Sequence, residues 1–355
     1  MSSKKIRVLI VDDSSIIRSL LRRFLTSDPD IEVVGAAPDP YVARDILLRE
    51  KPDVMTLDVE MPRMDGVTFL EKVMASNPVR TIIISSLSTQ GSETTLRAFE
   101  VGAIDVMAKP AIDITRSMES IREEIVNRVK AVAKAKLPIK MKYEARPPTA
   151  VKSQALAKTT HQILAIASST GGTEALKVIL SKMPSDIPGT VIVQHLPPVF
   201  TATYAKLLQK MCPFEVKEAQ EGDKVYPGRV LIAPGNYHME LSRSGAYYHV
   251  KLHQEPILNG VRPAADFLMK SVAKYAGANA IGVVLTGMGR DGADGLVAMK
   301  NSGAYNIAQN EETCVVFGMP KVAIELKAIQ KVCALEDIAK EIMKQIKIMD
   351  VVKAS

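Results

Sequence analysis

A chain of 355 residues has room for two domains of ordinary size, and a composition 47% apolar and 24% charged is that of a globular protein able to bury two cores. No apolar run approaches the ~20 residues that span a bilayer, and the N-terminal MSSKKIRVLIVDD, whose apolar run ends in acids, reads as a first strand and not as a secretory signal. The three cysteines (Cys212, Cys314, Cys333) lie far apart without ligand spacing, which excludes a disulfide framework or zinc site and fits free thiols in a reducing cytosol.

The formal net charge of +7 suggests nucleic acid until it is located. From Lys130 to Thr160 eight basic residues (Lys130, Lys134, Lys136, Lys140, Lys142, Arg146, Lys152, Lys158) face one acid, Glu144, so this stretch holds the whole excess. It carries Pro138, Pro147 and Pro148 and loses apolar periodicity. It therefore reads as a solvated linker, 131–160, between one domain at 1–130 and another at 161–350. With no zinc-finger spacing and 5% aromatics, no nucleic-acid face is expected.

The first half alternates apolar runs with helical patterns. Ile6–Val11, Ile31–Ala36, Val54–Leu57, Thr81–Ile84 and Asp105–Met107 read as strands. Ser15–Leu25, Val42–Leu48, Val67–Met74, Glu93–Val101 and a stretch from about Ile114 into the 130s read as helices. That alternation implies a parallel, doubly wound α/β sheet whose site lies at the carboxyl ends of the strands. Those ends carry Asp12-Asp13, Asp58, Ser85-Ser86 and Lys109-Pro110. Converging carboxylates repel unless a cation sits among them, and oxygen ligands suit Mg²⁺. A lysine opposite them offers a point charge for a phosphoryl oxygen. These motifs, together with Leu57–Gly66, resemble the receiver domain of two-component response regulators, a flavodoxin-like (βα)5 fold. The resemblance implies that Asp58 is the phospho-acceptor, that Asp12 and Asp13 help it hold Mg²⁺, and that a histidine kinase is the donor. It makes Ser86 the switch hydroxyl, with Ser85 the alternative, and Lys109 the phosphate contact with a cis bond to Pro110.

The second half opens with Ile163–Gly172, an apolar run ending in two serines, a threonine and two glycines, with a helical pattern directly after. Ser168 or Ser169 is then either a helix cap or a nucleophile at a helix N-terminus. Thr190–His195 reads as an apolar strand ending on a histidine; Phe214 to about Lys251, with turns rich in Gly, Pro and Asn, reads as a β-hairpin insertion. Pro263–Tyr275 is helical, and Ala280–Thr286 is a buried strand before Gly287-Met-Gly-Arg-Asp-Gly292, a helix (Ala293–Asn301), a strand (Tyr305–Ala308) and a terminal helix from Glu336. Gly287-x-Gly289-x-x-Gly292 fits a dinucleotide fingerprint, but Asp291 puts a carboxylate where a pyrophosphate approaches. The competing chemistry is acyl transfer, with a hydroxyl, an imidazole and a carboxylate on three strand ends. His161, His238, His249 and His253 are rival bases and Asp294 a rival acid.

Ser169–Leu176, Val193–Pro197, Ile232–Met239, Val261–Asp266, Leu285–Gly292 and Thr313–Pro320 resemble the catalytic domain of chemotaxis protein-glutamate methylesterases, the CheB family. The resemblance implies a mainly parallel, doubly wound α/β domain in which Ser169 is the nucleophile, His195 its base and Asp291 the orienter. The backbone at Thr170 and Met288 becomes the oxyanion site. It further implies a cytoplasmic esterase, without a cofactor for its own chemistry, that hydrolyses glutamyl methyl esters and deamidates glutamines on chemoreceptors when Asp58 is phosphorylated. Ala167-Ser168 replaces the family's usual Gly-Ala, placing an extra hydroxyl beside Ser169.

Overall fold

The computed structural model describes residues 4–110, 117–137 and 162–354. The chain divides into two compact units, Met1–Met141 and Lys142–Ser355. Most of the expected linker, and His161, lie outside the described residues.

In the N-terminal unit the strands are β1 (Ile6–Val11), β2 (Ile31–Ala37), β3 (Val54–Leu57), β4 (Arg80–Ser85) and β5 (Asp105–Ala108). The helices are α1 (Ser15–Thr26), α2 (Pro40–Glu50), α3 (Gly66–Ser76), α4 (Thr89–Val101) and α5 (Met118–Ala133). The sheet is parallel in the order β2-β1-β3-β4-β5, the flavodoxin-like winding. Short polar side chains start the helices: the Ser14, Asp39 and Asp65 side chains accept from N–H groups of α1, α2 and α3, and Pro40 opens α2 where its missing donor is not needed. Helix α5 runs through Ala133, three residues into the expected linker, and Lys130 there pairs with Asp28 (2.8 Å) and Asp30 (2.9 Å).

The C-terminal unit holds β6 (Ile163–Ser168), β7 (Gly189–Gln194), β8 (Glu215–Glu218), β9 (Lys224–Val225), β10 (Arg229–Ile232), β11 (His238–Ser244), β12 (Tyr247–His253), β13 (Ala280–Val284), β14 (Tyr305–Gln309) and β15 (Lys331–Cys333). Its α-helices are α6 (Gly172–Leu180), α7 (Phe200–Met211), α8 (Ala265–Tyr275), α9 (Ala293–Asn301), α10 (Met319–Glu325) and α11 (Leu335–Ala354). Seven strands form one parallel sheet, β15-β14-β13-β6-β7-β10-β8. A small antiparallel sheet, β11-β12-β9, stands apart. The insertion is thus narrower than expected. β11 and β12 are the hairpin, whereas β8 and β10 extend the main sheet, because Val230, Leu231 and Ile232 are buried on both faces as a parallel strand requires.

The chain leaves β6 toward β7 on one side and later returns to β13 on the other. A crevice therefore opens at the carboxyl ends of β6, β7 and β13, where such sheets bind their ligands. None of the described helices is long and apolar enough to cross a membrane. The three thiols are buried and unpaired with one another, and burial pushes that of Cys212 up to about 12.

Candidate active site

Three strand ends meet at the C-terminal crevice. Ser169 follows β6, and its N–H donates to Thr286 O (3.1 Å), while the N–H of His195 donates to Ser168 O (3.1 Å). His195 Nε2 lies 2.9 Å from Asp291 Oδ2. Ser169, His195 and Asp291 are 8%, 6% and 3% exposed, so the crevice is largely dry. An ionised Asp291 can only accept, which makes Nε2 the donor and leaves the lone pair on Nδ1. Among the described residues no hydrogen bond joins Ser169 Oγ to the imidazole, a contact that in ligand-free sites often forms only with substrate. Burial works to raise the Asp291 pKa, but hydrogen bonds and charge from His195, with donors from Ala265 and Asn259, outweigh it and hold the carboxyl below its ordinary value.

The two serines separate cleanly. Ser168 Oγ donates to Gln194 Oε1 at 2.6 Å in a fully buried bond, and Gln194 Nε2 donates to Ser169 O at 2.9 Å. Gln194 therefore clamps the turn, and the hydroxyl that distinguishes this chain from the family's usual alanine is committed to it. Neither serine caps α6: the N-cap is Gly171, left-handed at φ 77°, with no side-chain cap. The cap reading fails because the chain enters the helix two residues after Ser169. Glycine is needed at 287 for a different reason. A Cβ there would stand 2.8 Å from Ser169 Cβ and 2.4 Å from Met319 Sδ. Gly287 O accepts from Gly318 N (3.1 Å) and Met319 N (2.9 Å), which fixes the turn carrying Met288. Thr286 Oγ1 donates to Thr170 O at 3.0 Å and ties this turn to the serine turn.

The rivals are elsewhere. His238 is fully buried, its Nδ1 accepting from Ala264 N (3.1 Å) and its Nε2 facing Pro256 O (3.2 Å), so both nitrogens are structural. His253 packs against the rings of both His238 and Phe267, which also touch each other, and His249 pairs with Ser242 across the hairpin. Asp294 forms an exposed ion pair with Arg290 (2.8 Å). The dinucleotide reading has no room, since Asp266 Oδ1 accepts from Gly295 N (2.7 Å) in the first turn of α9.

At the N-terminal strand ends, one oxygen each of Asp12, Asp13 and Asp58 lie within 4.8 Å of one another. Lys109 Nζ is 2.7 Å from Asp58 Oδ2 and 3.6 Å from Asp12 Oδ2. Burial, and then the neighbouring Asp58, raise Asp12 to about 6 against the pull of Lys109. Asp12 Oδ2 is buried without a hydrogen-bond partner, which is the orphan oxygen a divalent cation would satisfy. The residues present fit Mg²⁺. Ser86 Oγ donates to Glu60 Oε2 (2.7 Å), whereas Ser85 is fully buried. Gly66 packs so closely that a Cβ would lie 2.0 Å from Asp58 O. The Lys109–Pro110 bond is not cis; among the described residues the cis bond is Arg262–Pro263. A groove lined by Tyr41, Leu48 and Phe69 lies between α2 and α3.

Comparison with known proteins follows the same division. The profile of CheB methylesterase matches residues 164–342 and that of the response regulator receiver domain residues 8–122. A protein-glutamate methylesterase/protein-glutamine glutaminase of Bdellovibrio bacteriovorus is 65% identical over 347 residues, covering 97% of this chain and 98% of the relative. The chain belongs to the CheB methylesterase family. A second CheB relative, the protein-glutamate methylesterase/protein-glutamine glutaminase 2 of Pseudomonas aeruginosa, is 48% identical over 96% of this chain and 97% of its own length. The solved CheB methylesterase catalytic domain of Thermotoga maritima covers 52% of this chain and 98% of its own, with TM-score 0.51 and 39% identity. Gln194, Asn259, Asp266 and Thr286 bear on the CheB site but are not among the residues expected from sequence. Asn259-Gly260 is a turn dipeptide that would have drawn notice to the first of the two acids' partners.

Proposed function

We propose that Ser169 attacks the γ-carbonyl carbon of a glutamyl methyl ester and that His195 Nδ1 takes its proton. The observation that carries this reading is the buried His195–Asp291 pair beside the clamped serine turn. Ionised Asp291 stabilises the imidazolium and holds its tautomer. Backbone N–H groups at Thr170 and Met288 receive the oxyanion. The imidazolium returns its proton to the leaving methoxide, giving methanol and an acyl-serine. Water, deprotonated by the same imidazole, then releases glutamate. With a glutamine substrate the leaving group is ammonia. The substrates are methyl-accepting chemoreceptors, and the esterase step needs no metal ligand from these residues.

The N-terminal unit, taken as 1–130 and joined by 131–160 to a catalytic domain at 161–350, acts as the control. Asp58 accepts a phosphoryl group from the phosphohistidine of a chemotaxis kinase. Asp12, Asp13 and Asp58 would hold Mg²⁺, which when bound offsets charge on the phosphoryl oxygens. Lys109 contacts the phosphoryl group, and Ser86 exchanges its bond to Glu60 for one to it. Phosphorylation raises hydrolysis, and the protein works in the cytoplasm. The test is methanol release from methylated receptor with and without a small phosphodonor. Ser169→Ala is expected to abolish release while Asp58 still takes phosphate; Asp58→Asn is expected to keep basal release but lose activation. Near-wild-type release from Ser169→Ala would refute the assignment of the nucleophile.

A further inference from the structure

Asp291 does more than face His195. Its Oδ2 also accepts from Ala265 N (2.5 Å), and its Oδ1 from Asp266 N (3.3 Å), so it serves the N-terminus of α8. Asp266, in that first turn, in return serves the N-terminus of α9 through Gly295 N. Asp291 thus caps the helix that contains Asp266, and Asp266 the helix that follows Asp291, where no local side chain does so. The exchange brings two buried carboxylates together, 1% and 3% exposed, and like charges in a dry site repel. Asn259 stands between them. Its Nδ2 donates to Asp291 Oδ1 and to Asp266 Oδ2, both at 2.9 Å, using one N–H for each. It reaches them from the tip of a tight hairpin, Leu258–Val261, closed by reciprocal backbone bonds. Both central residues are left-handed, Asn259 at φ 55° and Gly260 at φ 78°, which suits an Asn-Gly pair.

We propose that Asn259 is a positioning residue of the catalytic pair, whose amide screens Asp291 from Asp266 and keeps it aimed at His195. The inference rests on Asp291 being the orienter of His195. The charged groups around it are His195 just after β7, Asp266 from α8 with Lys270 acting on Asp266, and Arg290, which Asp294 occupies at the surface. Removing the amide leaves Asp291 with more uncompensated negative charge, which favours protonated His195. The base is then lost at higher pH, so the acid limb of kcat/KM moves upward.

Asn259→Gly deletes the amide and keeps a residue at ease with positive φ. In the full-length protein its kcat for methanol release is expected to fall about 10-fold or more with KM little changed, as for one lost hydrogen bond to a charged group. Its acid limb is expected to rise by about half to one pH unit. Adding Asp266→Asn to Asn259→Gly removes the second charge and is expected to bring the limb back toward wild type. Should Asn259→Gly not fold, as judged by circular dichroism, the near-isosteric Asn259→Asp replaces it and is expected to shift the limb upward further. An unmoved acid limb in a folded variant, or no return in the double variant, overturns the proposal. Ser169→Ala assayed in parallel keeps the two readings apart: activity there overturns the triad itself, whereas wild-type kinetics of Asn259→Gly beside an inactive Ser169→Ala overturns the role of Asn259 alone.

Discussion

Replacing Gly287 with alanine tests the placement of Ser169, the proposed nucleophile, by sterics alone. Gly287 is not among the glycines with positive φ, so the added methyl brings no backbone strain. Its Cβ would stand 2.4 Å from Met319 Sδ, the end of a flexible side chain that can swing away, and 2.8 Å from Ser169 Cβ, which cannot. Ordinary contact begins at 3.4 Å, so the serine turn must retreat by about 0.6 Å. That turn is held on its other side by Gln194, whose Nε2 grips Ser169 O, and by Ser169 N on Thr286 O. A misplacement of about 1 Å costs on the order of 100-fold in rate, so about 10-fold or more is expected here, in kcat and not in KM. The assay is steady-state methanol release from methylated receptor, with thermal unfolding to show that the variant is folded. A folded Gly287→Ala protein within about threefold of wild-type kcat would show that the close approach does not position the serine.

Ser168→Ala separates the two hydroxyls: hydrolysis is expected to persist, while loss of the buried bond to Gln194 costs about 1 kcal/mol and lowers Tm by roughly 2–4 °C, read by calorimetry. Because the folded Asp291 carboxyl titrates below its unfolded value, its stabilisation is present above about pH 4 and is lost as pH falls through the lower folded value. Urea unfolding of Asp291→Asn is therefore expected to show a shallower loss of stability than wild type on acidification below about pH 4. Mg²⁺ is expected to raise the unfolding temperature of the N-terminal unit, and Asp12→Ala to erase most of that gain, since it removes the buried orphan oxygen. Iodoacetamide at pH 8 is expected to leave Cys212 unmodified until urea is added, as mass spectrometry would show.

The strands that carry chemistry were legible because their signals are local. Apolar runs broken by Asp12-Asp13, Asp58, Ser169 and His195 announce both an element and what stands at its end, and the winding rule places those ends together. The β8 and β10 assignments were harder, since short runs flanked by Gly and Pro look alike whether they pair with a hairpin or join an edge. Three partnerships were not legible, although the Asn259-Gly260 turn that carries one of them was. Gln194 grips a carbonyl 25 residues away, and Asn259 reaches acids 7 and 32 residues away. His238 was a fair rival base until both of its nitrogens were found bonded to the segments around Pro256 and Ala264. Partnerships of that kind are set by the packed fold and leave no period in the sequence.

The exchange of caps between α8 and α9 has a consequence for a chain still being folded. The bonds that fix Asp291 span 25 to 32 residues to the segment around Asn259 and α8 and 96 residues to His195, and the β6–β13 pairing beneath them, Ile163 beside Ala280, is more distant still. Loop-closure entropy delays such non-local contacts. Hydrolytic power is therefore expected only once the sheet and both helices are in place. On the proposed triad, a chain whose α8 and α9 have not yet docked holds Ser169 but lacks a fixed Asp291 carboxylate. Recovery of activity on refolding is then expected to report assembly of the whole C-terminal unit and not collapse alone.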